Sequence, residues 1–303
     1  MRRNAGVFLI LVWIFSFPAQ ADRLNPPGKL IDIGGRSLHL NCTGEGAPTV
    51  VLDAGLGGNS LEWAAVQARV SEFTRVCSYD RAGYGWSDPG PGPRDSSVIV
   101  EDLHAGLALA PVPGPYVLVG HSFGGFNVRL FAARYPSESV GLVLVDAAHE
   151  AQFERLARGP APSRIVPRGQ FIALPALGIP EGLPTELNTL ALRLAVAPKA
   201  RRAALSELRQ FESSAAQVRS ERTDHNLPLV VVSRSAHLWN DSPQAQQLER
   251  TWAQLQWDLK KLSSRGVQVF SSSQRHHVHL AEPELVVEAI RAVVTASQTQ
   301  TMP

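Results

Sequence analysis

The sequence has little excess charge of either sign and few cysteines. Its 303 residues include 29 lysines and arginines and 27 aspartates and glutamates, for a net charge of +2, and no run of basic residues exceeds a pair. This balance gives no electrostatic reason to expect a nucleic-acid partner. The two cysteines and nine histidines form no metal-type cluster in the sequence, so we expect neither a metal site nor a cofactor. No internal repeat is present, and the length suits one large domain with an inserted cap.

Long hydrophobic runs are also lacking. The longest, Ala5–Phe15, has 11 residues, too few to span about 30 Å of hydrocarbon. It follows the basic start "MRR" and precedes "AQA" at 19–21, which has small residues at both positions that a signal peptidase reads. We expect residues 1–21 to be a signal peptide cleaved before Asp22, with an uncleaved anchor as the alternative. The mature protein would then be periplasmic or secreted, without a membrane span.

The only cysteines are Cys42 and Cys77. An oxidising compartment would permit a disulfide between them, and both lie near the ends of predicted strands. Two separate buried thiols are the alternative. A bridge requires the two Cα atoms to lie within about 7 Å of each other.

Apolar strands alternate with helical segments through most of the chain. "GKLIDIGGRSLHLNCTGEG" is typical of a hairpin turned at Gly34-Gly35, and "VVL", "YVLVG", "LVLV" and "PLVVVS" are continuously apolar. Such strands indicate a parallel sheet covered by helices on both faces. Residues 150–226 show no convincing strand, only short helical segments. We expect residues 22–149 and 227–303 to form the α/β core, and 150–226 a helical cap over the carboxyl edge of the sheet, where ligands of open α/β folds bind.

The segment "VLVGHSFGGFNVRL" places a serine between two glycines, after an apolar strand and before a helix. A strand–Gly-x-Ser-x-Gly–helix passage is typical of a nucleophile elbow. The backbone reverses so sharply there that side chains at Gly120 and Gly124 would collide, and the turn lifts the Ser122 hydroxyl clear of the sheet. The amide of Phe123 would face a developing oxyanion, at a helix N-terminus whose dipole favours negative charge. A glycine-rich turn with an incidental serine is the alternative, and His121 would pack within the loop.

Four stretches, "VVLDAGLGG", "YDRAGYGWSD", "VGHSFGG" and "HHVHLAEPELVVEAI", occur in this order. Together they resemble the α/β-hydrolase fold family, specifically its cap-bearing, esterase-like members. With the strands between them they cover the chain from about residue 31 to 294, the cap excepted. The resemblance implies a mostly parallel, eight-stranded sheet with helices on both faces and an inserted helical cap. It also implies a small-molecule substrate and no cofactor.

The resemblance assigns the second oxyanion-binding amide to Leu56. In the family, the loop after the third strand carries His-Gly, and the residue that follows supplies the amide. The matching positions here are Ala54-Gly55. The backbone amide is therefore retained, whereas the side-chain support that the histidine gives to the loop is not. A glycine-rich connector without this role is the alternative.

The resemblance also assigns the general base. The family places its catalytic histidine in the loop after the last strand, seven residues before a proline that starts a helix. His276 and Pro283 have this spacing, so His276 is the expected base. His277 would face away from the side that His276 faces, and we expect His277 and His279 to lie on the loop surface or to pack inside it.

Two aspartates could orient this base, because both keep the order Ser…Asp…His. Most members of the family place the acid after the strand that corresponds to "PLVVVS", where this chain has Asp241 in the loop that follows. A subset uses the strand after the nucleophile helix, which here leads directly into Asp146. We prefer Asp146 and keep Asp241 as the alternative. A turn-forming or helix-capping aspartate is the ordinary explanation for Asp146.

Together these features predict a serine hydrolase that acts on a small or medium apolar carboxylic ester through an acyl-enzyme. Amidase or aminopeptidase activity and carbon–carbon bond hydrolysis are alternatives on the same residues, and a non-catalytic binding protein of the same fold is a further one. "DRAGYGWSD" predicts a structural loop shaped by Asp80, Arg81 and Asp88. Asp53, beside the oxyanion loop, is assigned no role.

Overall fold

The computed structural model describes residues 25–157, 182–221, 226–236 and 242–301. The expected signal peptide and the alternative acid Asp241 lie outside the described residues.

An eight-stranded, mostly parallel sheet forms the centre of the molecule, as predicted. Its order is β1-β2-β4-β3-β5-β6-β7-β8. The pairs β1–β2 and β2–β4 are antiparallel and every other pair is parallel. The predicted hairpin at Gly34-Gly35 joins the first two strands, and both glycines have positive φ. The strands are β1 (Lys29–Asp32), β2 (Ser37–Thr43), β3 (Thr49–Asp53), β4 (Val76–Asp80), β5 (Tyr116–His121), β6 (Ser139–Val145), β7 (Leu229–Ser233) and β8 (Gly266–Phe270).

Helices connect the parallel strands. They are α1 (Ala64–Val70), α2 (Ser96–Leu109), α3 (Gly124–Arg134), α4 (Gln152–Ala157), α5 (Asn188–Ala195), α6 (Pro198–Arg209), α7 (Phe211–Ser220), α8 (Pro243–Lys260), α9 (Val278–Ala281) and α10 (Pro283–Thr301). Short 3-10 turns occupy Ser60–Trp63, Pro136–Glu138 and Thr185–Leu187. Within the described ranges, none of these helices is both long and apolar enough to cross a membrane.

The continuously apolar strands are explained by two hydrophobic cores, one on each face of the sheet. Successive strand residues point to opposite faces, and Val50 belongs to one core whereas Val51 belongs to the other. Helices α1 and α10 cover the first face, and α2 and α3 cover the second. Both faces are therefore buried, which is why these strands do not alternate between apolar and polar residues.

The described parts of the expected cap contain helices and no strand, in agreement with the sequence. Helix α7 packs on α2 and α3 of the core, and Phe211 contacts the rings of Phe123 and Phe126. The cap boundaries at 150 and 226 stay a prediction. The apolar stretch "FIALPALGIP" lies outside the described residues.

Cys42 and Cys77 form a disulfide. They are direct partners in the antiparallel pairing of β2 with β4, and their Cα atoms are 4.0 Å apart. Of the two alternatives that the sequence left open, the structure has the bridge.

Candidate active site

The serine elbow has the geometry that its glycines predict. Strand β5 ends at His121 and helix α3 begins at Gly124, so the chain reverses within two residues. A Cβ atom added at Gly120 would lie 2.6 Å from the carbonyl oxygen of Gly124, and one added at Gly124 would lie 2.5 Å from that of Asp53. Both contacts are too close for any side chain. Ser122 is partly exposed although both of its neighbours are buried.

Backbone strain is concentrated at two positions. Among the described residues, Ser122 (φ 49°) and Asp146 (φ 39°) are the non-glycine residues with positive φ. Such conformations cost roughly 1–3 kcal/mol each and cluster at functional sites. The elbow is fixed by the Ser122 carbonyl, which accepts hydrogen bonds from the amides of Gly125 (3.0 Å) and Ala148 (2.9 Å). The two strained positions are thus joined through the loop after β6.

Asp146 and His276 are in direct contact. His276 Nδ1 donates to Asp146 Oδ2 at 2.6 Å, and Trp252 Nε1 donates to Asp146 Oδ1 at 2.9 Å. Arg234 Nε lies 3.4 Å from the same carboxylate. Asp146 is fully buried, whereas 40% of the His276 side chain is exposed. A histidine held through Nδ1 by a buried carboxylate presents Nε2 as the nitrogen available for proton transfer.

The loop that carries His276 is attached to the serine elbow. His121 Nε2 donates to the backbone carbonyl of His276 at 3.1 Å, and the two rings are 4.7 Å apart. Because His121 directly precedes Ser122, this bond brings the His276 loop to the same end of the sheet as the serine. Asp146 stands at that end as well, directly after β6. Asp241, the alternative acid, lies in a part of the chain that the structure does not describe.

The two expected oxyanion amides lie on either side of the elbow. A Cβ atom added at Gly55 would lie 3.3 Å from the Cβ of Ser122, so the loop that contains Leu56 packs against the serine. Phe123 directly precedes the first residue of α3, which places its amide at the helix N-terminus. In the described part of the chain, neither amide has a backbone acceptor. This arrangement is the one that the expected oxyanion role requires of both amides.

A buried group of charged side chains supports the loop of residues 54–56, which carries one of the expected oxyanion amides and is called the oxyanion loop below. We call Asp53, Arg81 and Glu207 the arginine group. Arg81 donates through Nη1 to the carbonyl of Ala54 (2.6 Å) and to Asp53 (2.7 Å), and through Nη2 to the carbonyl of Gly55 (2.8 Å). Its Nε and Nη2 donate to Glu207 on α6 at 2.8 and 3.0 Å. The sequence predicted only that Arg81 shapes its own loop. In the structure Arg81 also joins the oxyanion loop to a helix of the cap.

Each charge in the arginine group is compensated. Burial alone would lower the pKa of Arg81, but the charges of Glu207 and Asp53 outweigh burial and raise it well above its ordinary value. Burial raises the pKa of Asp53, against the opposing effects of Arg81 and of the hydrogen bonds from Tyr79 and Asn127. The Asp53 carboxylate is fully buried and bound by side chains, so it does not line the mouth of the site.

A second, largely buried polar group lies next to the elbow, since His121 directly precedes Ser122. We call Glu62, His121, His277 and His279 the histidine group. One oxygen or nitrogen each from Glu62, His121 and His277 lie within 4.8 Å of one another. His279 Nε2 lies 3.8 Å from Glu62 Oε2. The prediction from the sequence that no metal-type cluster exists rested on spacing along the chain, and spacing does not reveal residues brought together by folding.

Burial controls the ionisation of the histidine group. It lowers the pKa of His277 to about 4 and that of His279 to about 3, and it lowers the pKa of His121 well below its ordinary value. Burial also raises the pKa of Glu62, an effect that the charge of Arg81 opposes. The three rings are therefore neutral at neutral pH. His121 and His279 are packed inside the protein, as expected for loop-packing histidines.

Comparison with known proteins identifies the family. The model of the "Alpha/beta hydrolase family" matches residues 50–289. The uncharacterized protein YqjL of Bacillus subtilis (strain 168) is 25% identical over 281 residues, which are 91% of this chain and 95% of that protein. Two other curated relatives, from Hormonema carpetanum and Schizosaccharomyces pombe, are 34% and 48% identical over 42% and 27% of this chain. The chain spans only 19% and 15% of their lengths.

Solved structures share the fold at low sequence identity. A thermophilic esterase from Thermogutta terrifontis superimposes with a TM-score of 0.57 at 21% identity, over 86% of this chain and 94% of that one. The enol-lactonase from Burkholderia xenovorans LB400 has a TM-score of 0.59 at 19% identity, over 86% and 97% of the two chains. Taken with the match of the family model over residues 50–289, the eight-stranded sheet and the serine elbow show that this chain belongs to the alpha/beta hydrolase family.

Proposed function

We propose that the protein is a serine hydrolase that cleaves small or medium apolar carboxylic esters through an acyl-enzyme. The observation that carries the proposal is the 2.6 Å contact between His276 Nδ1 and the buried carboxylate of Asp146. This pair lies at the end of the sheet where Ser122 projects from its elbow. A serine, a histidine and a carboxylate placed in this way are the parts that nucleophilic acyl transfer requires.

Each residue has a defined role in the proposed reaction. Ser122 Oγ attacks the ester carbonyl while His276 Nε2 takes its proton, and the Asp146 carboxylate stabilises the imidazolium that forms. The amides of Leu56 and Phe123 bind the oxyanion, a contribution of about 2.7–4 kcal/mol for each donor. His276 then protonates the leaving alkoxide. Water, activated by the same imidazole, hydrolyses the acyl-enzyme and restores Ser122.

The Asp146 contact bears on one of the alternatives. A non-catalytic binding protein of this fold would not need a buried carboxylate aligned on a histidine beside a strained serine. Asp146, at the end of β6, can supply the acid that is absent directly after β7.

Support for an ester substrate comes from chemistry and from the fold. An alkoxide leaves with less assistance than an amine, and the site offers one acid–base group. Leu183, Ala191 and Leu194 of the cap pack against Leu61 and Leu280 of the core, which makes the cap apolar where it meets the core. The esterase and the enol-lactonase that share the fold support this substrate class by analogy alone.

The proposal is tested with p-nitrophenyl esters of graded chain length and the matching p-nitroanilides. We expect hydrolysis of the shorter esters, little hydrolysis of the anilides, and only background rates for Ser122→Ala. Ser71→Ala, at the end of α1 and far along the chain from the elbow, is the matched control and should keep full activity. Preference for anilides would replace the ester proposal with an amidase, and an active Ser122→Ala would remove Ser122 as the nucleophile.

We also propose that the protein is exported after cleavage before Asp22. The signal-like segment at residues 1–21 supports export, and so does the Cys42–Cys77 disulfide, because disulfides persist in oxidising compartments. The intact mass of protein recovered from the periplasm or medium of an expressing bacterium tests this. A mass that begins at Asp22 is expected, and full-length protein retained in the membrane fraction would indicate an uncleaved anchor.

A further inference from the structure

The histidine group contains buried polar atoms that the protein leaves without partners. Glu62 Oε2, His121 Nδ1 and both ring nitrogens of His279 have no hydrogen-bond partner among the described residues. A buried polar atom left unpaired costs about 1–3 kcal/mol, and native proteins contain few of them. Four such atoms in one group leave it open to a ligand from outside the protein.

The donor set has the composition of a transition-metal site. Three imidazole side chains and one carboxylate are the ligand types that Zn²⁺ and related divalent ions take from proteins. We propose that Glu62, His121 and His277 bind one divalent transition-metal ion of the zinc class. Their three donor atoms already lie within 4.8 Å of one another. His279 Nε2, 3.8 Å from Glu62 Oε2, is a further donor for a fourth position.

The surroundings of His121 fit this proposal. A metal-binding histidine almost always donates its other ring nitrogen to a carbonyl or carboxylate, which fixes the ring and the tautomer. His121 Nε2 donates to the backbone carbonyl of His276 at 3.1 Å, and its Nδ1 is buried and unpartnered. The ring is therefore held with Nδ1 as the nitrogen available to an ion.

The same bond defines what the ion does. The ion binds His121, and His121 donates a hydrogen bond to the backbone carbonyl of His276. The ion therefore stabilises the loop that carries the proposed base. His277, the next residue, is itself a ligand. The ion thus has a structural role beside the active site, and its binding does not depend on whether Ser122 is a nucleophile.

The test is metal binding by untagged full-length mature protein that has been treated with a chelator and dialysed. Titration with ZnCl₂ followed by calorimetry and elemental analysis should give one ion per chain. At a 100-fold excess over Kd, Tm should rise by about 5 °C. Co²⁺ should give the visible absorption of a site with nitrogen and oxygen ligands.

Variants decide whether the ion occupies the histidine group. His277→Ala should weaken binding at least 100-fold and abolish the rise in Tm, and because His277 is partly exposed this variant should fold. Glu62→Gln should weaken binding as well. His104→Ala removes a partly exposed histidine paired with Glu138 elsewhere on the molecule and should bind the ion as tightly as the wild type.

Two results would overturn the proposal. If the chelator-treated wild type takes up no ion, the unpartnered atoms are satisfied by water. If His277→Ala binds as tightly as the wild type, or His104→Ala loses as much affinity, the ion binds somewhere else.

Discussion

The two polar groups next to the serine elbow differ in how completely their hydrogen-bonding atoms are paired. In the arginine group, Arg81 uses all five of its N–H donors on Asp53, Glu207 and the carbonyls of the oxyanion loop. In the histidine group, four polar atoms have no partner within the described residues. The first group is complete without any ligand. The second leaves polar atoms available to a ligand.

This difference distinguishes residues that stabilise the fold from residues that bind a ligand. A fully paired buried network rigidifies the parts that it joins, and the arginine group joins the oxyanion loop to cap helix α6. A buried group with unpaired atoms is retained at a cost in stability, which is the pattern expected of residues that serve a function. Asp146 and His276 lie between these extremes, because the carboxylate is fully bound whereas the histidine is exposed to solvent.

The largest expected effect is on catalysis, when the contact between Asp146 and His276 is broken. Asp146→Asn should lower kcat for ester hydrolysis by about 10⁴-fold, because an amide no longer holds the tautomer and does not stabilise the imidazolium. Steady-state kinetics on a p-nitrophenyl ester measures the loss.

The matched control for Asp146→Asn is Asp241→Asn. The second variant should keep wild-type activity. Loss of activity in Asp241→Asn, with Asp146→Asn still active, would show that Asp241 orients the base and that the contact with Asp146 is structural.

Breaking the arginine group should have the largest effect on stability. Arg81→Met leaves Asp53 and Glu207 buried without their cation, which should lower the free energy of unfolding by about 3–5 kcal/mol. Urea denaturation measures this change. Arg201→Met, at an exposed position on the same cap helix as Glu207, should change the free energy of unfolding by less than about 0.5 kcal/mol. Equal stabilities for the two variants would contradict the role assigned to the arginine group.

The buried ion pair of Arg129 with Glu150 extends the comparison to the pH dependence of stability. Burial opposes ionisation of Glu150, but Arg129, 2.8 Å away, outweighs burial and lowers the pKa of Glu150 from 4.5 to about 2. Between these two values the unfolded chain binds more protons than the folded one, so stability falls as the pH falls. The pair should contribute on the order of 3 kcal/mol at neutral pH, and this contribution should be lost progressively below about pH 4.5.

Denaturation of wild type and Glu150→Gln across this range checks the sign. The stability difference between them should be greatest at neutral pH and should shrink toward pH 2. A difference that is constant with pH would mean that the carboxylate is not stabilised by its ionised pairing with Arg129.

The smallest expected effect is on the free energy of unfolding, when the histidine group is altered. In metal-free protein, Glu62→Gln should change the free energy of unfolding by less than about 1 kcal/mol, because Glu62 Oε2 has no hydrogen bond to lose and the variant removes a buried charge. Urea denaturation with chelator present measures this. A loss as large as that of Arg81→Met would mean that both groups are equally satisfied, and the contrast between them would disappear.

The sheet and the elbow could be predicted because their signals are local. Continuously apolar runs such as Val117–Val119 mark strands that are buried on both faces, and Gly120 and Gly124 are required by close contacts within the turn itself. Asp146 was preferred over Asp241 because it follows its strand without an intervening loop. The structure places Asp146 against His276.

The long-range contacts could not be predicted in the same way. Arg81 and Glu207 are 126 residues apart, and their pairing depends on how the cap packs, for which the sequence offers no periodic signal. The histidine group did leave one clue. Glu62, His121 and His277 each follow or end a parallel strand at its carboxyl end, and these ends meet at one edge of the sheet. Considered together, these positions would have predicted that the three side chains converge.

Reaction with a fluorophosphonate, followed by intact-mass and peptide mass spectrometry, tests the central claim most directly. We expect one adduct per chain, on the peptide that contains Ser122, formed rapidly by the wild type and much more slowly by His276→Ala. Folded wild-type protein that takes up no adduct, or takes it up at another serine, would contradict the assignment of Ser122 as a nucleophile activated by His276.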